Sequence, residues 1–143
     1  MTKRVLVPLG ERERDEMVLP LVAALAREFG ATVRLLRVYS IPEMIVGPSG
    51  RVLAYVDQEM ARLNGEGLDQ LQAADFRLDG VTVEHAIRFG DPAQEIVHEA
   101  EEWSADLIAL SASSRGRLAS AIAPGVAEQV SWRATTPTLV LRT

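Results

Sequence analysis

Short apolar runs alternate with stretches of helical periodicity along the whole chain, and this alternation constrains the fold more than any other feature. Val5-Leu6-Val7-Pro8-Leu9 is apolar without a break, which fits a strand covered on both faces. Val18, Val22, Leu25 and Phe29 then recur at helical spacing, and Gly30 is placed to stop that helix. Pro20 requires either a helix that begins near it or a loose first turn. Thr32 to Tyr39 reads as a second strand, and residues 40–50, with two prolines and two glycines, as a loop. Helical spacing returns from Val52 to about Leu71, and Val81 to Ile87 suggests a third strand. In Gly90-Asp91-Pro92, Asp91 can cap the next helix, Pro92 suits its first position, and Gln94 can reach back as in a capping box. Ala93, Ile96, Val97 and Ala100 give that helix one apolar face. Leu107 to Leu110 is a fourth buried strand, followed by a loop from Ser111 to about Ala123. Pro124 can open a helix to about Arg133, and Thr138 to Leu141 closes the chain as a fifth strand.

The order β-α-β-α-β-α-β-α-β implies a doubly wound α/β fold, a parallel sheet with helices on both faces. A length of 143 residues fits one domain over 1–143, with no internal repeat or linker. A composition 48% hydrophobic and 24% charged is that of a globular protein with a sizeable core. The net charge of −5 argues against nucleic acid as a partner, which needs a basic surface. With no cysteine there is neither a disulfide framework nor thiolate chemistry, and a cytoplasmic location is expected. The first apolar run is too short for a signal-peptide core, and no stretch is long enough to span a membrane.

In sheets of this kind ligands bind beyond the carboxyl ends of the strands, where the strand order reverses. The segments that matter are therefore Gly10 to Glu16 and Ser111 to Pro124.

Several segments, taken together and in order, resemble the universal stress protein family. Lys3-Arg4-Val5-Leu6-Val7-Pro8-Leu9 resembles its first strand. Gly90-Asp91-Pro92-Ala93 resembles its Gly-x-Pro-Ala turn, and Ala105-Asp106-Leu107-Ile108 its fourth strand. Val126-Ala127-Glu128-Gln129-Val130 is similar to its last helix, and Thr136-Pro137-Thr138-Leu139-Val140-Leu141-Arg142 to its closing strand. The resemblance implies five strands in the order 3-2-1-4-5. It also implies one of two branches. One branch binds ATP through Gly-x-x-Gly, nine residues, then Gly-Ser or Gly-Thr, with an Asp after the first strand; the other lacks the pattern.

Aligned on these anchors, the four motif positions are Ser111, Ser114, Pro124 and Gly125, and the Asp position is Gly10. Every one departs from the ATP-binding pattern. Ser111 and Ser114 add a Cβ where backbone N–H groups would approach a phosphate, and Pro124 removes a donor. Gly125 has no hydroxyl, and Gly10 no carboxylate for a base or ribose. Each lost contact costs about 1–3 kcal/mol, so together they weaken binding by several powers of ten.

Residues 111–127 nevertheless hold Arg115 and Arg117 and no acid, with hydroxyls at Ser111, Ser113 and Ser114. They read either as a solvated loop with ordinary surface arginines or as an anion-friendly patch. The candidate nucleotide or anion site is therefore Pro8, Leu9, Gly10, Val38, Ser111, Ser113, Ser114, Arg115, Arg117 and Gly125.

His85 and His98 lack metal-ligand spacing, so no metal is expected. A triad of Ser111, His98 and Asp106 has no Gly-x-Ser-x-Gly elbow behind it. Trp103 and Trp132 read as packing residues, and Met44, Ile45 and Val46 either as core or as a cover for the pocket mouth. The expectation is a non-enzymatic stress-response protein without a cofactor, acting through a homodimer and an unidentified protein partner. The alternative is a divergent sensor of ATP or AMP that uses the Ser111–Arg117 segment. The last strand carries no inward charge, and the resemblance implies dimerisation through Pro137 to Arg142.

Overall fold

A computed structural model of the chain describes residues 3–10, 13–42, 52–112 and 125–142, with the side chains of 13–15 and 52–55 outside what is described. The strands are β1 (Arg4–Pro8), β2 (Thr32–Tyr39), β3 (Thr82–Phe89), β4 (Leu107–Ala112) and β5 (Thr138–Arg142). They form one sheet in the order β3-β2-β1-β4-β5, and every pairing is parallel. The register sets Val5 opposite Val33 on one side and Leu107 on the other, so the order reverses between β1 and β4. The helices are α1 (Leu19–Phe29), α2 (Val52–Ala73), α3 (Pro92–Trp103) and α4 (Val126–Arg133).

Alternation along each strand divides the core in two. Val5, Val7, Val33, Leu35 and Ala109 face α1 and α2, where Leu19, Val22, Ala26 and Leu71 meet them. Leu6, Leu36, Ile108 and Leu110 face α3 and α4, where Ile96, Ala100, Trp103 and Val130 close over them. Leu6, Leu35, Leu36 and Ile108 are fully buried, as expected of inner strands with helices on both faces.

Local chemistry sets the ends of the helices. Residues Glu13–Val18 form a 3-10 turn, and α1 begins behind it with Pro20 in its first turn, where a missing N–H costs nothing. Gly30 ends α1 at φ 64°, and its N–H bonds the carbonyl of Ala26. Asp91 caps α3, its carboxylate accepting from the Gln94 N–H at 3.0 Å. Among the described residues Gln94 returns no bond, so the expected capping box is half made. Gly67 lets α2 lie close to the sheet: a Cβ there would stand 2.8 Å from Ile87 Cδ1 and 2.9 Å from Tyr39 Cε2.

Three expectations change. Ser111 belongs to β4, which runs on to Ala112, because β5 continues to pair with it: Ser111 lies opposite Leu141. The third strand lies slightly later than Val81 to Ile87, because β2 pairs with it up to Phe89. Trp132 is 72% exposed and so is no packing residue, whereas Trp103 is 8% exposed, with Arg34 stacked 4.3 Å from its ring centroid. Met44, Ile45 and Val46 lie outside the described residues, as do Pro124 and the start of its expected helix. No helix among the described residues is long and apolar enough to cross a membrane.

Candidate functional site

β1 and β4 run side by side and their chains then diverge to opposite faces of the sheet. A crevice must open past their carboxyl ends, and a cavity of about 260 Å³ lies there. Pro8, Leu9 and Gly10 supply one wall from the end of β1, and Leu36 and Val38 extend it along β2. Leu110 and Ser111 come from β4. Pro92 and Ile96 close it from α3, and Val126 and Ala127 from α4. The β1 wall is fixed by the Leu9 N–H, which donates to the Leu36 carbonyl at 2.8 Å and carries the β1–β2 ladder one residue past the strand.

Of the residues expected at the site, the structure brings Pro8, Leu9, Gly10, Val38 and Ser111 to the cavity wall. Gly125 stands next to it as the residue before α4. Ser113, Ser114, Arg115 and Arg117 lie outside the described residues. Leu36, Pro92, Ile96, Leu110, Val126 and Ala127 are the other described residues of the lining, none of them among the expected site residues. For Leu36 and Leu110, in the carboxyl-terminal halves of β2 and β4, the switch-point rule is a usable signal; the helix-borne residues depend on where α3 and α4 pack.

Two helix starts face the cavity, and each already has a carboxylate. Asp91 serves α3 and is itself 3.5 Å from Arg133 Nη1, which links the start of α3 to the end of α4. At α4, Gly125 has no side chain to cap with, and Glu128 reaches back to accept its N–H at 2.6 Å. This is the return half of a capping box. The turn into α3 depends on Gly90, at φ 144°, where a Cβ would stand 2.6 Å from Glu95 Oε1.

Behind α3 lies a lattice of charge. Arg88 Nε donates to Glu95 at 2.7 Å and its Nη1 to Glu102 at 3.0 Å. Arg34 Nε donates to Glu84 at 3.0 Å. Glu99, 7% exposed, sits between the two arginines, 3.5 Å from Arg34 and 3.7 Å from Arg88. Burial works to lower the Arg88 pKa, but the hydrogen bonds to Glu102 and Glu95 prevail and hold it above its ordinary value. The hydrogen bond from Arg88, followed by its charge, holds the Glu102 carboxyl below its ordinary value.

The remaining candidates are dispersed. His85 pairs with Asp75 at 2.8 Å on the α1–α2 side of the sheet. Asp106 accepts the Arg4 N–H at 2.8 Å at the amino end of β4, five residues from Ser111 or about 16 Å along a strand, so the Ser111–His98–Asp106 triad does not assemble. No group of His, Asp and Glu among the described residues could hold a metal ion.

The fold and the position of the cavity define a doubly wound α/β protein with a cleft at its switch point. The universal stress protein family model matches residues 1–142, and the chain belongs to that family. Solved structures agree. The chain is similar to a hypothetical protein whose biochemical function was assigned from its structure, at 26% identity and a TM-score of 0.78, covering 100% of this chain and 97% of that one. It is similar to a universal stress protein in complex with cAMP, at 20% identity and TM-score 0.65, with 99% and 98% covered. It is also similar to the Archaeoglobus fulgidus universal stress protein in complex with dAMP, at 22% identity and TM-score 0.62, with 98% and 97% covered. No curated protein matches the chain.

Proposed function

We propose that this chain is a non-catalytic universal stress protein that works by binding rather than turnover, and that it does not hold ATP in the family's standard way. One observation carries this reading. Where a triphosphate would need donors and a ribose an acid, the described residues offer Gly10 and Ser111 on the wall and Gly125 beside it, and the Gly125 N–H is already bonded to Glu128. No reaction is assigned, since no nucleophile paired with a base stands on the cavity wall among the described residues. The test is a thermal-shift titration with ATP, AMP and cAMP. A ligand that binds only the folded state raises the melting temperature with its excess over Kd. No shift at micromolar ATP is expected, and a saturable one defeats the reading.

The same reading has the protein act in the cytoplasm, as one domain over 1–143, through a homodimer and a protein partner. The two edges of the sheet support the dimer. β3 carries Glu84, His85 and Arg88, whereas β5 is Thr-Leu-Val-Leu-Arg and half-buried on both faces. A bare edge is protected when a second copy adds its strand about a two-fold axis through Pro137 to Arg142. Sedimentation velocity across a dilution series checks this, and a monomer at every concentration contradicts it.

A second reading, a sensor of ATP or AMP using the Ser111–Arg117 segment, is favoured by the similar proteins in complex with cAMP and dAMP. It expects an AMP-induced thermal shift that Arg115→Ala removes.

A further inference from the structure

Asn64-Gly65-Glu66-Gly67 puts an asparagine and two glycines, all poor helix formers, in the middle of α2. The burial of the helix changes at the same place. From Val56 to Glu66 every residue is exposed or half-buried, whereas Gly67 and Leu71 are buried, as is Ala74 directly after the helix. Position on the sheet explains the change. α2 runs antiparallel to the strands it connects, and Gly67 already lies against Tyr39, the last residue of β2, and Ile87, near the end of β3. Residues 52–66 therefore run on past the carboxyl ends of these strands, over about 22 Å at the helical rise. A segment of that length is marginal as a helix in water unless tertiary contacts hold it. One row of side chains crosses the glycines. Arg62 donates to Glu59 at 3.0 Å and to Glu66 at 2.9 Å, and Gln70 donates to the other oxygen of Glu66 at 3.5 Å. Gln70 accepts in turn from Arg37 of β2, which is 6% exposed, at 2.9 Å. Of this row the Gln70–Arg37 bond alone reaches the sheet, and it does so beyond the glycines. The exposed pairs before it contribute little each.

We propose that residues 52–66 form an arm that opens as one unit about Asn64–Gly67 while residues 68–73 stay on the sheet. Opening bares Val56, Met60 and Leu63, half-buried in the closed arm, and leaves both halves of the core intact. Nothing in the arm depends on what the cleft holds. Native-state hydrogen exchange of the full chain, read by NMR at single amides, tests it. A cooperative arm gives the amides of Asp57 to Asn64 one common protection, at least about tenfold below that of Gln70 to Ala73, where simple fraying gives a gradient. Two variants separate arm from body. An added Cβ at Gly65 meets nothing within 4 Å, so Gly65→Ala favours the helix and should slow exchange of 57–64 by about two- to fivefold. Ile108 is fully buried under α3, and Ile108→Val should speed exchange at Leu6 and Val7 of the central strand by about two- to tenfold while leaving 57–64 unchanged. A gradient along α2, a smaller step, no slowing by Gly65→Ala, or acceleration of 57–64 by Ile108→Val in proportion to Leu6 overturns the arm.

Discussion

Along β2, β3 and α3, ionisable side chains are matched to one another: Arg34 with Glu84 and Glu99, Arg88 with Glu95, Glu99 and Glu102, and both Arg4 and Arg34 against the Trp103 ring. Past the carboxyl ends of β1 and β4 the described residues of the wall are uncharged, and the two helix starts there are served by carboxylates of their own. The first region uses its charges to hold α3 on the sheet. The second keeps a space open at the switch point. Substitutions should therefore separate the regions, the first losing stability and the second losing ligand selectivity.

The largest effect expected is at Glu99. Removing a carboxylate that is 7% exposed and lies between two arginines leaves both less compensated under α3. Glu99→Ala should cost about 3 kcal/mol, the low end for breaking a buried pair because each arginine keeps a second acid. Urea denaturation checks this, and a loss below about 0.5 kcal/mol breaks the contrast. Gly67→Ala comes next. Its Cβ meets Ile87 and Tyr39 under 3.0 Å, so overpacking should outweigh the better helix propensity of Ala and leave a net loss of about 1–2 kcal/mol. Gly65, two residues earlier in the same helix, has nothing within 4 Å of the added Cβ. Gly65→Ala should then gain about 0.5–1 kcal/mol, which makes the pair an internal control for the close approach.

Ser104 ends α3 at φ 58°, a left-handed conformation that favours glycine. Ser104→Gly should stabilise by about 1 kcal/mol in the same denaturation experiment. The smallest effect concerns pH. The Glu102 carboxyl is held below its ordinary value in the folded state by the Arg88 hydrogen bond and charge. Its contribution is therefore complete above the ordinary carboxylate range and is lost as pH falls from that range through the lowered folded value. The stability difference between the parent chain and Glu102→Gln should shrink on acidification, and one that grows contradicts the pairing.

Much of the fold could be read from residues next to one another in sequence. Unbroken runs such as Val5 to Leu9 announce buried parallel strands, and Gly90-Asp91-Pro92 announces a capped helix, because those effects act within a few residues. The lattice was not legible. Arg34, Arg88 and Glu99 are ordinary charges in sequence, and only the β2–β3 register together with α3 brings them together. In sequence Ser111 looks like loop, because nothing in its own neighbourhood shows that β5 continues to pair there; Trp132 looks like packing, because a tryptophan's burial depends on which face its helix turns inward. At the site, the strand ends that bracket the cleft followed from the switch-point rule, with Gly10 and Ser111 at the wall. Its helix-borne half, Ile96 and Ala127, could be named only once α3 and α4 were seen to converge on it.

On the proposed function, the cleft of this universal stress protein lacks the family's standard hold on a triphosphate. Calorimetric titration of the full chain with ATP and Mg²⁺ tests it most directly. No saturable heat is expected at micromolar concentrations. One-to-one binding with a micromolar Kd, lost on blocking the cleft with Ala127→Phe in a protein that still folds, would contradict it.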